Sequence, residues 1–261
     1  MGDCCVTGYL HRDTTYGTET EVAGVPCYVV KATDIPDFKG ALGPGAVLVG
    51  TDVYGWKIPN MRILADLYAC RLGTTVYVPN ILGDDFWPCE ELGTARQAGP
   101  DVPQWMAEHS REKLEPLWRR IAGVVRDQHP RVVTVGFCYG TWQAWSLCEG
   151  PTPVAAGGAA FHPTLVPALC PDIPAMVARL AAPIFVGCPS NDELFDAPKR
   201  QAVKDALAKK GSGYASTWQD YADMRHGFAV RGDLAQPEVK AMRERAVSDL
   251  VAFFKPLLES A

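Results

Sequence analysis

The chain has 261 residues, of which 48% are hydrophobic and 21% are charged, so it is long enough and apolar enough to bury a sizeable core within one domain spanning residues 1–261. Its formal net charge of -5 excludes a strongly basic surface, and binding to nucleic acid or to an anionic membrane requires clustered lysines and arginines. We therefore expect neither nucleic acid nor a membrane as a partner.

Nine cysteines are scattered along the chain, an odd number without the C-x-x-C pairs that are typical of zinc sites. They predict reduced thiols, and no residue spacing indicates a metal site or a bound organic cofactor. The first residues lack the basic region and apolar core of a signal peptide, and no apolar run is long enough to span a bilayer. We expect a cytoplasmic protein that needs no cofactor.

Short apolar runs alternate with longer amphipathic segments, which predicts an α/β fold with a mostly parallel sheet and crossover helices. Strands are predicted over seven segments, at 27–31, 46–51, 75–78, 131–135, 155–160, 183–187 and 215–218. Helices are predicted over five, at 60–72, 110–128, 141–149, 196–210 and 238–258. Residues 80–104 are rich in Gly, Pro and Trp without a clear period, and they predict an irregular loop or short-helix excursion.

Residues 136–140, with the sequence Gly-Phe-Cys-Tyr-Gly, lie between a predicted strand and a predicted helix. A strand, a G-x-nucleophile-x-G turn and a helix form the nucleophile elbow of α/β-hydrolases. The turn is too tight for side chains two residues either side of the nucleophile, which accounts for Gly136 and Gly140. Cys138 stands at the nucleophile position, and a buried structural cysteine is the alternative interpretation.

A cysteine nucleophile needs a base, and the base needs an acid that orients it. In α/β-hydrolases these residues follow the nucleophile in the order acid, base, each beyond the carboxyl end of a later strand. Asp192 follows the predicted strand 183–187, and His226 follows the last predicted strand. Asp196 begins the next helix and is better explained as its N-cap. His162 also follows a strand, which makes it a candidate for contact with the substrate.

Further segments carry a resemblance to the dienelactone hydrolase family, in particular its eukaryotic branch, which is often found in fungi. They are the Cys4-Cys5 pair with Gly8 and His11, the segment 52–56 (Asp-Val-Tyr-Gly-Trp), the elbow, and the segment 226–233 (His-Gly-Phe-Ala-Val-Arg-Gly-Asp). The resemblance covers nearly the whole chain. It implies an α/β-hydrolase fold with about eight strands and helices on both faces, and a triad of Cys138, Asp192 and His226 that acts on small lactones or esters.

The resemblance also implies that Asp52 contacts the resting thiol, at a position where bacterial members carry Glu; a turn residue after a strand is the alternative. The expected mechanism is acyl transfer through a thioester, in which His226 deprotonates the hydrolytic water. The N–H groups of Val53 and Tyr139 are expected to bind the tetrahedral oxyanion.

The substrate class is less determined than the chemistry. Arg231 is the nearest candidate for binding a substrate carboxylate, since guanidinium groups suit that geometry. Several aromatic residues are candidates for an apolar pocket wall, which would favour a carboxylesterase or thioesterase acting on aromatic or polyketide-like substrates. They are Tyr54, Trp56, Phe86, Trp87, Trp105, Tyr139 and Trp142.

Two interpretations that assign a function other than hydrolysis stay open. One is a redox protein with an oxidisable Cys138, for which Cys148 is the nearest second cysteine along the chain. The other is a hydrolase fold that binds a ligand or partner without turnover. The oligomeric state does not follow from the sequence.

Overall fold

A single eight-stranded sheet forms the centre of the structure. The computed structural model describes residues 8–36, 38–87 and 101–259. The strands are β1 (Thr18–Val22), β2 (Val25–Lys31), β3 (Ala46–Gly50), β4 (Thr75–Pro79), β5 (Val132–Phe137), β6 (Gly157–Phe161), β7 (Ile184–Asn191) and β8 (Ser216–Arg225). Their order in the sheet is β1-β2-β4-β3-β5-β6-β7-β8. The pairs β1/β2 and β2/β4 are antiparallel, and every other neighbouring pair is parallel.

Helices connect the strands and cover the sheet. They are α1 (Pro59–Leu72), α2 (Val102–Glu108), α3 (Arg111–Gln128), α4 (Thr141–Ser146), α5 (Ile173–Arg179), α6 (Ala197–Lys209), α7 (Phe228–Arg231) and α8 (Pro237–Glu259). Successive residues of a strand face opposite sides of a sheet. A Cβ atom on Gly157 would meet Leu257 of α8, whereas one on Gly158 would meet the sulfur of Cys148 just beyond α4. Helices therefore lie on both faces, and the predicted α/β-hydrolase fold is confirmed.

All seven predicted strands occur, as β2 to β8. Strand β1 was not predicted because four of its five residues, Thr-Glu-Thr-Glu, are polar and exposed, so it carries no apolar signal. The predicted helix 141–149 ends earlier, at Ser146. Side chains of α3 donate hydrogen bonds to backbone carbonyls in the last turn of α4. Trp118 donates to Gln143 O at 2.7 Å, and Arg119 donates to Ser146 O at 2.7 Å.

The predicted excursion over 80–104 is described only in part. Residues 81–84 form a turn, and α2 begins at Val102, inside the predicted range. Residues 88–100 of the excursion lie outside the described part of the chain, as do Cys4, Cys5 and Cys89.

The elbow is held against the sheet by a close approach of backbones. A Cβ atom on Gly136 would collide with the carbonyl of Gly140, and one on Gly140 would collide with the carbonyl of Gly50 at the end of β3. Gly50 and Gly136 are also direct partners in the β3/β5 register. Both glycines of the motif are therefore required by space, as the sequence predicts.

Gly140→Ala is expected to lower the free energy of unfolding by about 2 kcal/mol or more, since the new methyl group meets backbone that cannot rotate away. Urea denaturation measures the change. Gly123→Ala is the matched control. Gly123 lies inside α3, and no described neighbour comes within 4 Å of the added Cβ, so alanine there should stabilise the protein by up to about 1 kcal/mol. Equal effects of the two substitutions would contradict the steric argument.

Candidate active site

The candidate catalytic residues lie at one edge of the sheet, each just beyond a strand. Cys138 directly follows β5, Asp192 follows β7 and His226 follows β8, while His162 follows β6 and Asp52 lies two residues beyond β3. These five strands are mutually parallel, so their carboxyl ends meet at the edge where α/β sheets bind ligands. All five residues are buried. The topology thus gathers ionisable groups from distant parts of the chain into one shielded cluster.

Cys138 has the backbone geometry of an elbow nucleophile. Its φ of 53° lies in the left-handed region, which costs a residue with a side chain about 1–3 kcal/mol. Three hydrogen bonds hold its carbonyl, from Thr141 Oγ1 at 2.9 Å, from the N–H of Thr141, and from the N–H of Thr164 at 3.2 Å. Its Sγ lies 3.2 Å from Thr164 Oγ1. Hydrogen bonds from the start of α4 and from the segment after β6 therefore hold the strained turn in place.

His226 and Asp192 form a buried hydrogen-bonded pair. His226 Nδ1 donates to Asp192 Oδ2 at 2.9 Å, and neither side chain is exposed. The other carboxylate oxygen, Oδ1, accepts from the N–H groups of Leu194 and Phe195 at 2.9 and 3.0 Å. The loop after β7 thus fixes the carboxylate, and the carboxylate fixes the tautomer and orientation of the imidazole.

The electrostatics of the cluster favour a protonated His226. Burial opposes the charge, but the negative sulfur of Cys138 and the Asp192 carboxylate outweigh it and raise the pKa of His226 to about 10. Since Nδ1 is bound to Asp192, Nε2 is the nitrogen left for the sulfur. A thiolate beside an imidazolium is the resting state that this arrangement supports.

Asp52 lies close enough to Cys138 for their charges to interact, but its oxygens have other partners. Burial raises the pKa of Asp52, Arg231 opposes the rise, and the charge of Cys138 adds to it. Oδ1 accepts from the N–H of Tyr54 at 3.0 Å, and Oδ2 accepts from Arg231 Nε at 3.0 Å. Arg231 is itself buried in this ion pair, with its guanidinium over the Tyr54 ring at 5.1 Å. The arginine that the sequence suggests for a substrate carboxylate is thus bound to Asp52.

The two segments that carry Val53 and Tyr139 are in contact, because the backbone of Gly140 touches that of Gly50 and Thr51. The carbonyl of Val53 accepts from the N–H of Trp87 at 2.9 Å. The hydroxyl of Tyr139 donates to the carbonyl of His109 at 2.6 Å. These bonds hold the residues on either side of the candidate oxyanion site.

An aromatic cluster, formed by Tyr54, Trp87, Trp105 and Tyr139, lies against these segments. Its rings meet edge to face, with centroids 5.5 to 6.3 Å apart. Trp105 also stacks on His109 at 4.3 Å and donates from Nε1 to the carbonyl of Asp85 at 2.7 Å. All four members are buried, so the cluster packs tightly behind the segments that carry Val53 and Tyr139.

Thr164 is a site residue that the sequence analysis missed. Hydroxyl residues are common after strands, so the type carries little signal. Its position does carry one, since Thr164 is the third residue beyond β6, in Phe-His-Pro-Thr at the carboxyl edge of the sheet. Asp196, by contrast, caps α6 as predicted, accepting from the N–H of Lys199 at 3.1 Å.

The described residues offer neither a metal centre nor a membrane-spanning helix. Within residues 8–36, 38–87 and 101–259, no group of three or more His, Cys, Asp or Glu side chains is arranged to hold a metal ion. In the same ranges no helix combines the length and apolarity needed to cross a bilayer.

Comparison with known proteins gives one consistent family. Residues 39–258 match the model of the dienelactone hydrolase family. The chain is 26% identical over 259 residues to Hydrolase pyvD of Aspergillus violaceofuscus, covering 98% of this chain and 96% of that protein. It is 27% identical over 245 residues to Dienlactone hydrolase 1 of Gibberella moniliformis, covering 90% and 85%. The fold is similar to a crystal structure of dienelactone hydrolase from Anabaena variabilis, with a TM-score of 0.56, 17% identity and coverage of 91% of this chain and 97% of that one.

The ring of His226 is expected to keep its proton to about pH 10 in the resting protein. Asp192→Asn and Cys138→Ala each remove a negative neighbour of the imidazolium, so each should lower the pKa of His226. NMR titration of the ring measures this pKa directly. Asp205→Asn, on the exposed face of α6, is the control that should leave it unchanged. An unaltered pKa in Cys138→Ala would contradict the thiolate–imidazolium pair.

Proposed function

Since the chain belongs to the dienelactone hydrolase family and is a hydrolase of ester bonds, we propose that it opens small lactones or cleaves small esters with Cys138 as the nucleophile. The observations that carry this proposal are the hydrogen bond from His226 to Asp192 and the charge interaction of His226 with the Cys138 sulfur. Cys138, Asp192 and His226 each lie directly beyond a parallel strand, and they follow one another in the order nucleophile, acid, base of α/β-hydrolases. The substrate in this proposal is a small neutral or anionic carboxylic ester.

In the first half of the reaction, the sulfur of Cys138 attacks the carbonyl carbon and a C–S bond forms. The N–H groups of Val53 and Tyr139 stabilise the oxyanion, and because they are held in advance they need no reorganisation. The C–O bond of the ester then breaks, and the departing oxygen takes the proton from His226. In a lactone that oxygen stays attached to the acyl group, which is now a thioester on the enzyme.

In the second half, water attacks the thioester and gives a proton to His226, which is now neutral. Asp192 stabilises the imidazolium that forms. The C–S bond breaks, the free acid leaves, and the thiolate–imidazolium pair is restored. Protons balance over the cycle, and no group outside the chain is needed.

A second candidate, a carboxylesterase or thioesterase for aromatic substrates, is favoured by the charge arrangement beside the site. The ion pair with Asp52 occupies Arg231, so an anionic substrate would have to compete with a buried carboxylate for it. The aromatic cluster makes the surroundings of Val53 and Tyr139 apolar, which favours an uncharged substrate.

A redox role for Cys138 is disfavoured by the position of Cys148. The sulfur of Cys148 contacts Gly158, which pairs in the sheet with Thr134, four residues before Cys138. Four strand residues span about 13 Å, and a disulfide requires Cα atoms within about 7 Å. Cys148 is therefore poorly placed to resolve an oxidised Cys138.

Cys138→Ala is expected to lower the turnover of cis-dienelactone, trans-dienelactone and p-nitrophenyl acetate by about a thousandfold or more, because the covalent route is lost. Steady-state kinetics with the three substrates measure this. Cys148→Ala, which removes another buried thiol, is the control and should leave turnover nearly unchanged. Turnover of the ester alone, lost in Cys138→Ala, would keep the mechanism and reassign the substrate. Turnover independent of Cys138 would refute the proposal.

The charge of the substrate separates the two candidates. Dienelactone and its methyl ester share a ring and differ in the carboxylate charge, so their kcat/KM values isolate the role of Arg231. If Arg231 stays bound to Asp52, the methyl ester should have a kcat/KM about tenfold higher or more, since no unpaired carboxylate has to be desolvated. A preference for the free acid would favour the dienelactone hydrolase assignment and an Arg231 that leaves Asp52 when the substrate binds.

A further inference from the structure

His162 lies beside the candidate general base but has no part in the mechanism above. It is the first residue beyond β6, and its side chain is fully buried. The centroid of its ring is 4.9 Å from that of His226, and the two rings are inclined by 62°. A second imidazole therefore contacts the one that must deprotonate water.

The backbone of His162 is held in a strained conformation. Its φ of 42° is left-handed, and the following residue, Pro163, further disfavours departures from extended backbone. The N–H of His162 donates to the carbonyl of Gly187 at 2.9 Å, and two residues on, the N–H of Thr164 donates to the carbonyl of Cys138 at 3.2 Å. The turn formed by residues 162–164 thus contacts both the nucleophile and the base. Strain that is kept at such a position indicates a functional constraint.

The ring nitrogens of His162 have no protein partner of ordinary hydrogen-bond geometry in the described part of the chain. Its other ring neighbours, Phe137 and Phe228, offer no hydrogen-bonding side-chain group. An unsatisfied buried polar atom costs about 1–3 kcal/mol, so two of them on one ring indicate a missing polar partner. Of the three rings in contact with His162, only that of His226 carries hydrogen-bonding atoms.

The protonation state of His162 suits a neutral hydrogen-bonding role. Burial lowers the pKa of His162 well below its usual value, and the positive charges of His226 and Arg231 lower it further. A neutral imidazole carries one N–H donor and one nitrogen acceptor. His226 has a carboxylate partner and can gain a proton. No carboxylate among the described residues pairs with His162, which is therefore poorly suited to act as the base.

We propose that His162 binds the hydrolytic water of the second half-reaction and orients it between His226 and the thioester. The water donates one hydrogen to the neutral nitrogen of His162 and the other to Nε2 of His226. Its oxygen attacks the thioester carbon, the second proton passes to His226, and the C–S bond breaks to release the acid and the Cys138 thiolate. This role rests on the proposed thioester mechanism, and it assigns to His162 a function in deacylation but not in acylation.

The test compares His162→Leu with the wild type in rapid mixing with p-nitrophenyl acetate. Release of p-nitrophenolate reports acylation, and intact-mass analysis reports the acetyl group on Cys138. We expect His162→Leu to acylate at nearly the wild-type rate and to lose the acetyl group at least about tenfold more slowly, since one oriented hydrogen bond to the water is missing. Added hydroxylamine should discharge both acyl-enzymes at similar rates, because it replaces the water.

Two further variants guard against a purely structural effect. His162→Gln keeps a hydrogen-bond acceptor and should retain more of the deacylation rate than His162→Leu. His11→Gln changes another buried histidine, whose Nε2 hydrogen-bonds the carbonyl of Gly232 at 2.9 Å, and it should leave the ratio of acylation to deacylation unchanged.

The outcomes separate the two proposals. Equal slowing of acylation and deacylation in His162→Leu, or deacylation at the wild-type rate, would overturn the role of His162 while the thioester mechanism stands. A wild-type protein that is never acetylated on Cys138 would overturn the thioester mechanism and the role of His162 with it.

Discussion

The close approach of two backbones, at Gly50 of β3 and Gly140 of the elbow, is the constraint on which the active site depends. Neither position has room for a Cβ atom, and Gly136 is equally crowded by Gly140. This contact holds Cys138 in a left-handed conformation that a free chain would abandon. It also brings the segment after β3, with Asp52 and Val53, beside the candidate nucleophile.

Around this constraint the charged groups at the edge of the sheet are arranged in opposing pairs. The Cys138 sulfur and Asp192 share His226, and Asp52 is paired with Arg231. A buried charge without a partner would destabilise the folded protein by several kcal/mol. Each charge therefore depends on the partner within its own pair. His162 stands apart from these pairs as a neutral ring, and its neutrality lets it contact an imidazolium without adding charge repulsion.

The parts of the fold that carried a local signal could be predicted. Strands β3 to β6 are buried at every residue, so their apolar runs stand out in the sequence. Strand β1 carries no such run, because it lies at the edge of the sheet and, among the residues that the structure describes, pairs through its backbone with β2 alone. The short helices α2, α5 and α7 are too brief to establish a period. Their existence depends on the packing around them.

The candidate site divides in the same way. The elbow motif, and the order of Asp192 and His226 behind it, are local patterns that follow from the tight turn and from the ends of parallel strands, so the sequence by itself determined which residues to expect. It did not determine their partners. That Arg231 binds Asp52, that Thr164 contacts the thiol and that His162 contacts His226 are contacts between segments that follow different strands. Such contacts depend on sheet register and crossover packing, which join residues far apart in the chain. For that reason, only the tertiary structure could decide which buried groups are paired and which second ring lies beside His226.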